Sequence, residues 1–203
     1  MALEFAGLKL EIPEEVYVPS DDTYLLIDNL KIAPNDVVLE VGTGSGIVAL
    51  CAALTAEKVI ATDISPIAVK CAKNNVKANH LELKVEIRLG NLFDPIDEKK
   101  SFDVILFNAP YLPENNNQMH NDADWLEKAW NGGKLGRNLI DPFIKQCKNH
   151  LSSSGRIQLV QSSLSNITKS RELFQKQGFQ HVQISAFKSF FFEKIVVLEA
   201  WNF

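Results

Sequence analysis

The stretch Leu39-Glu40-Val41-Gly42-Thr43-Gly44-Ser45-Gly46 joins an apolar, β-rich run to an apolar helical run. Its three alternating glycines allow a sharp turn, let the backbone approach a ligand closely and leave the N-terminus of the next helix accessible. In doubly wound sheets the ligand site lies at this end of the first strand. The dinucleotide fingerprint GxGxxG is not met, because Ile47 stands where its third glycine would be, and no GKS or GKT sequence follows. We therefore predict a ligand site at this turn, with a tight turn that binds nothing as the alternative.

Outward from this turn, β-rich runs alternate with helical patterns. We predict strands at 37–41, 58–62, 83–88, 102–107, 156–160, 179–185 and 190–201, and helices at 47–56, 65–80, 137–151 and 166–177. This alternation predicts βαβ units and a parallel sheet, and the last two strands, with no helix between them, should be antiparallel. We expect an α/β fold with a seven-stranded mixed sheet, its last strand antiparallel, and helices on both faces. Phe190, Phe191 and Phe192 should lie in the core of that last strand.

The composition predicts a single globular domain. The chain has 203 residues, of which 46% are hydrophobic and 23% charged. We expect one domain over 1–203, with an N-terminal segment and helix at 1–35 and the sheet-forming core at 36–203. The net charge of −4 and only four arginines argue against a broad nucleic-acid surface. Neither the three cysteines nor the four histidines show metal-ligand spacing, and neither a signal peptide nor an uninterrupted membrane-length apolar run is apparent, so we expect no metal, no membrane segment and a cytoplasmic location.

Polar residues follow the next two predicted strands. Asp63 ends the second strand, where its carboxylate can accept hydrogen bonds from both hydroxyls of a ribose, while Ile64 covers one face of an adenine. An acidic residue there is also a common helix N-cap, which is the alternative for Asp63 alone. After the third strand come Gly90, Asn91, Leu92 and Phe93, where Asn91 offers an amide to an adenine edge or serves as a turn residue.

The stretch Phe107-Asn108-Ala109-Pro110-Tyr111 ends the fourth predicted strand. Asn108 offers an amide oxygen, Ala109 a backbone carbonyl and Tyr111 an aromatic face. Pro110 restricts Ala109 to extended geometry, which holds that carbonyl in one direction. Two acceptors beside an aromatic ring suit a planar NH₂ group, which we predict as the acceptor of the reaction. A proline turn after a buried strand is the alternative.

Together these motifs resemble those of class I S-adenosylmethionine-dependent methyltransferases. The (N/D)PPY motif, which stands here as Asn108-Ala109-Pro110-Tyr111, resembles that of the HemK-type glutamine methyltransferases of translation release factors. Tyr17-Val18-Pro19-Ser20-Asp21-Asp22-Thr23 and Ala129-Trp130-Asn131-Gly132-Gly133, with Gly136-Arg137, resemble two stretches of the short archaeal and eukaryotic branch. The resemblance covers roughly 17–201 and implies a Rossmann-like fold.

The resemblance also implies roles for individual residues. S-adenosylmethionine would be bound by Thr23, Glu40, Gly42, Thr43, Gly44, Gly46, Asp63, Ile64, Asn91, Leu92 and Asn108. The substrate amide would be held by the catalytic group Asn108, Ala109, Pro110 and Tyr111. Two positions depart from the family pattern: residue 109 is Ala where Pro is usual, and residue 91 is Asn where Asp is common. The first change should leave a backbone carbonyl in place, and the second should weaken an adenine contact.

Substrate and partner are implied less specifically. The expected substrate is the glutamine of the Gly-Gly-Gln loop of a class-1 release factor. An adenine-N6 or guanine-N2 nucleic-acid methyltransferase, a protein lysine methyltransferase and a non-catalytic cofactor-binding subunit remain as alternatives. Short members of this branch work with a small zinc-ribbon activator that adds to the sheet beside the third strand, here between Leu83 and Leu89, where apolar residues alternate. The region 109–137, or a second protein, should then select the substrate.

Overall fold

The computed structural model describes residues 1–114 and 125–203, and these ranges contain nine strands and six α-helices. The strands are β1 (Ala2–Phe5), β2 (Leu8–Glu11), β3 (Val37–Val41), β4 (Lys58–Asp63), β5 (Val85–Leu89), β6 (Phe102–Asn108), β7 (Leu151–Ser162), β8 (His181–Ser189) and β9 (Lys194–Trp201). The helices are α1 (Asp21–Ile27), α2 (Ile47–Ala53), α3 (Pro66–Ala78), α4 (Trp125–Lys128), α5 (Ile140–Gln146) and α6 (Ile167–Lys176).

The central sheet has the predicted seven strands. Their order is β5-β4-β3-β6-β7-β9-β8, and the pairs from β5 to β7 are parallel. The last strand, β9, runs antiparallel to both of its neighbours, as the missing helix between the final strands predicted. All four residues from Val104 to Phe107 are buried, although successive side chains of a strand point to opposite faces. Both faces of the sheet are therefore covered, and the predicted fold class is confirmed. None of the described helices is long and apolar enough to cross a membrane.

Several element boundaries differ from the prediction. The helix expected at 137–151 is shorter: α5 begins at Ile140, which places Pro142 in its first turn, where the missing N–H costs nothing. A 3₁₀ turn, Cys147–His150, follows, and β7 begins already at Leu151. The third strand of the sheet begins at Val85, so Leu83 lies outside it and is 93% exposed.

The expectation for the three phenylalanines is wrong. β9 begins only at Lys194, and the Phe190 N–H donates to the Glu193 carbonyl oxygen at 2.8 Å in the turn that precedes it. Phe191 and Phe192 are 93% and 86% exposed. The chain reverses at this point, which carries these side chains beyond the end of the sheet.

An N-terminal hairpin was not predicted. β1 and β2 pair antiparallel through the two-residue turn Ala6-Gly7, where both residues have positive φ. The hairpin packs on α3: the Glu11 N–H donates to Asn75 Oδ1 at 2.8 Å, and Asn75 Nδ2 donates to the Ser45 carbonyl oxygen at 2.9 Å. Asn75 thereby links the hairpin to the glycine-rich turn after β3.

Candidate active site

A cavity of about 260 Å³ lies at the carboxyl ends of β3, β4 and β6. Its lining brings together nearly all the residues predicted for the site: Thr23, Glu40, Gly42, Thr43, Gly44, Asp63, Ile64, Asn91, Leu92, Asn108, Ala109, Pro110 and Tyr111. Gly46 lies outside the lining. A Cβ on Gly46 would meet Cβ of Ala72 at 3.1 Å, so close packing of α2 against α3 explains this glycine.

The glycine-rich turn forms one wall of the cavity. Gly42 and Gly44 have φ of +68° and +55°, values that L side chains rarely adopt. A Cβ on Gly42 would meet the Phe107 ring at 3.2 Å, whereas one on Gly44 would meet no protein atom within 4 Å. The turn therefore presents bare backbone to open space at the end of β3, as a closely approached ligand requires.

Two carboxyl groups hold this turn. The Thr43 hydroxyl donates to Glu40 Oε2 at 2.6 Å, and the Gly44 N–H donates to Asp63 Oδ2 at 2.8 Å. Asp63 Oδ1 accepts from the Ser65 N–H at 2.8 Å. Asp63 thus stabilises both the glycine turn and the approach to α3. The N-cap of that helix is Ser65, so the N-cap alternative for Asp63 is wrong, and its ribose role stays a prediction.

Glu40 is buried and Asp63 is half-buried, and loss of hydration changes the acidity of both carboxyl groups. Loss of hydration raises the pKa of Glu40 to about 8. The hydrogen bond from Thr43 opposes this rise, and the neighbouring Asp63 adds to it. Burial also raises the pKa of Asp63, although backbone N–H groups of Ser65 and Gly44 oppose it. A ligand that donates hydroxyl or cationic N–H groups to these oxygens would replace the lost hydration.

Asn108 ends β6 with a fixed side-chain amide. Its Nδ2 donates to Asp22 Oδ2 at 3.2 Å and to Thr23 Oγ1 at 3.4 Å. A carboxylate only accepts hydrogen bonds, so this contact identifies the nitrogen side of the amide and leaves Oδ1 on the other side. Within the described part of the chain, Asn108 Oδ1 is buried and has no hydrogen-bond partner. A buried acceptor without a donor is costly, and this one belongs to a residue that lines the cavity.

Asp22 joins the N-terminal segment to this amide. Besides Asn108, it accepts from the hydroxyls of Tyr17 at 3.3 Å and Tyr111 at 3.2 Å. Burial and the nearby Asp22 raise the pKa of both phenols well above their usual range, so both remain protonated donors. Tyr111, predicted for its aromatic face, is thus also fixed through its hydroxyl.

The local sequence does not mark Asp22 and Tyr17 as functional residues. Both belong to a stretch valued only for its resemblance, and an acidic residue at a helix start is ordinarily explained by the helix dipole. The available signal was the pair Asp21-Asp22 at the start of α1, of which the first is half-buried and the second is 5% exposed. Only the tertiary structure shows that the second carboxylate faces Asn108.

The stretch 129–137 supports the loop after β6. The Leu112 N–H donates to the Trp130 carbonyl oxygen at 3.1 Å, and the Gly132 N–H donates to that of Leu112 at 2.8 Å. A Cβ on Gly136 would lie 2.1 Å from the Tyr111 carbonyl oxygen, so only glycine allows this approach. Residues 115–124, part of the region 109–137 that we expect to select the substrate, lie outside the described residues. No group of three or more His, Cys, Asp or Glu among the described residues is placed to hold a metal ion.

Comparison with known proteins identifies the family of this chain. The family model for ribosomal protein L11 methyltransferase (PrmA) matches residues 23–131. A Methanocaldococcus jannaschii protein, provisionally named a protein N5-glutamine methyltransferase, is 39% identical over 203 residues, which cover 100% of both chains. Human methyltransferase HEMK2 is 30% identical over 176 residues, 82% of this chain and 80% of the human one. The chain belongs to the HemK family of methyltransferases.

A solved methyltransferase structure has the same fold as this chain. Mtq2 from E. cuniculi, in complex with Trm112, superposes with a TM-score of 0.66 at 21% identity, covering 93% of this chain and 99% of that one. That complex is described as responsible for methylating the translation termination factor eRF1. Membership in the family makes the chain a methyltransferase enzyme, and the family implies S-adenosylmethionine as methyl donor.

Proposed function

We propose that this HemK-type methyltransferase methylates the side-chain amide nitrogen of a glutamine in the Gly-Gly-Gln loop of a class-1 release factor. The observation that carries the proposal is the buried, unpartnered Oδ1 of Asn108, a cavity-lining residue whose Nδ2 is held by Asp22. A free acceptor at this point suits a donor N–H of an incoming planar amide. The substrates named for the M. jannaschii and E. cuniculi relatives support glutamine and a release factor.

The cavity fits S-adenosylmethionine through its donor and acceptor groups. The bare backbone at Gly42 and Gly44, with the neighbouring Thr43, suits close approach of the donor, and the carboxyls of Glu40 and Asp63 are acceptors for its hydroxyl and ammonium groups. Ile64 and Leu92 would cover the adenine, Asn91 would bond its edge, and Thr23 and Asn108 would border the methyl-donating end. Gly46 would act indirectly, by shaping the turn.

The protein's task in this reaction would be alignment, because S-adenosylmethionine, when bound, would supply a sulfonium methyl group whose C–S bond breaks with the electron pair left on sulfur. The amide nitrogen would form the new C–N bond and lose its proton to water. Asn108 Oδ1 and the Ala109 carbonyl would accept the two N–H groups, which turns the nitrogen lone pair toward the methyl group and favours the charge that develops there. Pro110 and Tyr111 would fix the plane of the amide. Such positioning supplies on the order of 7–11 kcal/mol in favourable cases.

A labelled-methyl assay tests the substrate class. Purified release factor, tRNA, rRNA and DNA are offered in parallel to the enzyme with a radiolabelled methyl donor. We expect label in the release factor alone. Label in RNA or DNA would instead support the nucleic-acid alternative, since the Asn108 geometry serves any planar amine, and label on a lysine would support the lysine alternative.

We also propose a partner on the open edge of the sheet. β5 pairs only with β4 among the described strands, and Val85 and Ile87 are buried while Leu89 at its end is 54% exposed. Such an edge is suited to strand addition by a second protein. The Trm112 subunit bound to E. cuniculi Mtq2 supports a small partner, for which we propose a zinc-ribbon activator.

We propose finally that residues 1–203 act as one methyltransferase domain in the cytoplasm. The segment 1–35 contributes Asp22 and Thr23 to the same cavity that the core 36–203 lines with Glu40, Asp63 and Asn108. A translation factor as substrate places the activity where translation occurs.

A further inference from the structure

An aromatic surface lies at the tip of the β8–β9 hairpin. It comprises Phe187, Phe190, Phe191 and Phe192, which we call the aromatic tip, and their side chains are 59%, 39%, 93% and 86% exposed. Phe191 and Phe192 contact each other edge to face, with ring centroids 4.7 Å apart. Large apolar groups this exposed and this close together mark interaction surfaces more often than scattered single residues do.

The hairpin that carries the tip is anchored beside its turn. Ser162 Oγ donates to Glu193 Oε2 at 2.7 Å, and the Lys194 N–H donates to Ser163 Oγ at 3.0 Å. On the other strand, Lys188 Nζ lies 2.7 Å from Asp21 Oδ1. These contacts present the aromatic tip in a defined position, which lowers the entropic cost of binding through it.

The same anchors place the tip beside the mouth of the cavity. Asp21, which binds Lys188, directly precedes Asp22, the residue that holds Asn108 and Tyr111. Glu193 lies close enough to Tyr111 to contribute to the rise of its pKa. Because β9 is antiparallel to β7, β9 begins beside the carboxyl end of β7. The cavity opens at the same carboxyl ends of the parallel strands. The aromatic tip thus lies at the same end of the sheet as the cavity and is linked through Lys188 and Asp21 to the lining residue Asp22.

We infer that the aromatic tip is the docking surface for the body of the protein substrate. The inference rests on the proposed function: the cavity accepts the cofactor and one side chain, so the rest of a folded substrate must lie on the rim. The occupant we propose is an apolar patch next to the acceptor loop of that substrate. Phe191 and Phe192 would be buried against it, and the glutamine would enter beside Asn108.

The test compares a variant of the tip with a matched aromatic control. The double variant Phe191→Ser/Phe192→Ser removes the two most exposed rings. The control Phe203→Ser removes a ring that is 58% exposed and stacks with the Arg156 guanidinium. Arg156 precedes Ser162 by six residues along β7, so this ring lies toward the opposite ends of the strands from the aromatic tip. For each protein we would measure kcat and KM with intact release factor and with a short peptide containing its Gly-Gly-Gln sequence, together with cofactor affinity.

We expect the double variant to raise KM for the intact release factor by about tenfold or more, because burial of two rings is lost. Turnover of the peptide and cofactor affinity should match those of wild type and of Phe203→Ser. If the double variant and the control show the same KM for the intact protein, the docking role is wrong while the proposed function stands. If the wild type methylates neither protein nor peptide, the proposed function fails and the docking role fails with it.

Two further measurements identify competing occupants. Sedimentation would show a dimer that the double variant abolishes if a second copy of this chain covers the tip. Flotation with vesicles of mixed neutral and anionic phospholipid would show binding that the double variant abolishes if the tip contacts a lipid surface. Either result would overturn the proposal, and a monomer that does not bind vesicles would support it.

Discussion

At the scale of single residues, the proposed catalysis depends on how Asn108 is oriented. The sequence alone predicts an amide beside a proline turn, but it does not distinguish which atom of the amide is available. Asp22 makes that distinction, because a carboxylate accepts only from the nitrogen side. The prediction of Asn108 as a site residue therefore required only local sequence, whereas its orientation depends on a residue 86 positions away in the chain.

Replacement of Asp22 by Asn should lower kcat by about 100-fold, because small displacements of reacting groups have effects of this order. An asparagine offers one acceptor oxygen where Tyr17, Tyr111 and Asn108 all donate, so the Asn108 amide loses its fixed orientation. Asp21→Asn is the control, since its ion pair with Lys188 is exposed and kcat should change by no more than about twofold. Steady-state kinetics measures both, and equal effects of the two variants would remove Asp22 from the positioning role.

The raised pKa of Glu40 predicts a pH dependence of stability. Between its ordinary value of 4.5 and about 8, the folded protein binds a proton at Glu40 that the unfolded chain has released. The free energy of unfolding of the cofactor-free protein should therefore fall as pH rises through this window and level off above it. Asp63, whose pKa is also raised, acts with the same sign.

Urea unfolding at a series of pH values checks this prediction. In Glu40→Gln the decline should be shallower than in wild type, and the variant should gain stability relative to wild type as pH rises. Glu57→Gln, which changes an exposed glutamate, serves as the control and should follow wild type. Parallel curves for wild type and Glu40→Gln would show that Glu40 is not the titrating group.

At the scale of elements, periodicity and turn residues predicted most of the sheet but not its ends. The glycine turn, the N-cap Ser65 and the antiparallel final pair follow from local rules, and all three are present. The hairpin β1–β2 was missed because Ala6, a residue unusual at positive φ, occupies its turn. The three phenylalanines were misplaced because an apolar run predicts burial, whereas here it lies in a turn.

The stretch 129–137 gives a prediction at this scale. Gly136→Ala places a Cβ 2.1 Å from the Tyr111 carbonyl oxygen, at a φ of +66°. We expect a loss of at least about 3 kcal/mol in the free energy of unfolding, from overpacking added to backbone strain. Gly7→Ala is the matched control, because its φ is +78° but no atom lies within 4 Å, and it should lose about 1 kcal/mol from backbone strain alone. Denaturant unfolding compares the two, and equal losses would show that the Tyr111 contact is not limiting.

At the scale of the whole molecule, the two edges of the sheet have different expected uses. The β8–β9 edge carries the aromatic tip near the cavity, and the β5 edge lies at the other end of the strand order. The sequence predicted an edge strand near the right position, because its apolar residues alternate. It could not show which backbone groups remain unpaired.

The pairing pattern makes the β5 edge testable. Val59 N–H donates to the Lys84 carbonyl oxygen, and the Gly90 N–H donates to that of Asp63. In a parallel ladder alternate residues face the neighbour, so the amide of Leu89 points away from β4. Leu89→Pro should therefore leave the fold intact but abolish binding of a zinc-ribbon activator, while Leu89→Ala, which keeps the amide, should retain it. Copurification of the coexpressed activator measures this, and equal retention by both variants would exclude strand addition here.

The most direct test of the central claim is a mass-spectrometric map of methylation on purified release factor. The wild-type enzyme, supplied with methyl donor and with activator where one is required, should add one methyl group to the glutamine of the Gly-Gly-Gln sequence. Asn108→Ala should give no detectable methylation of that glutamine, because its kcat should fall by more than about 100-fold. Its affinity for the cofactor, measured by calorimetry, should stay within a few-fold of wild type. Methylation of that glutamine by Asn108→Ala at a near wild-type rate, or wild-type methylation at another residue only, would contradict the account.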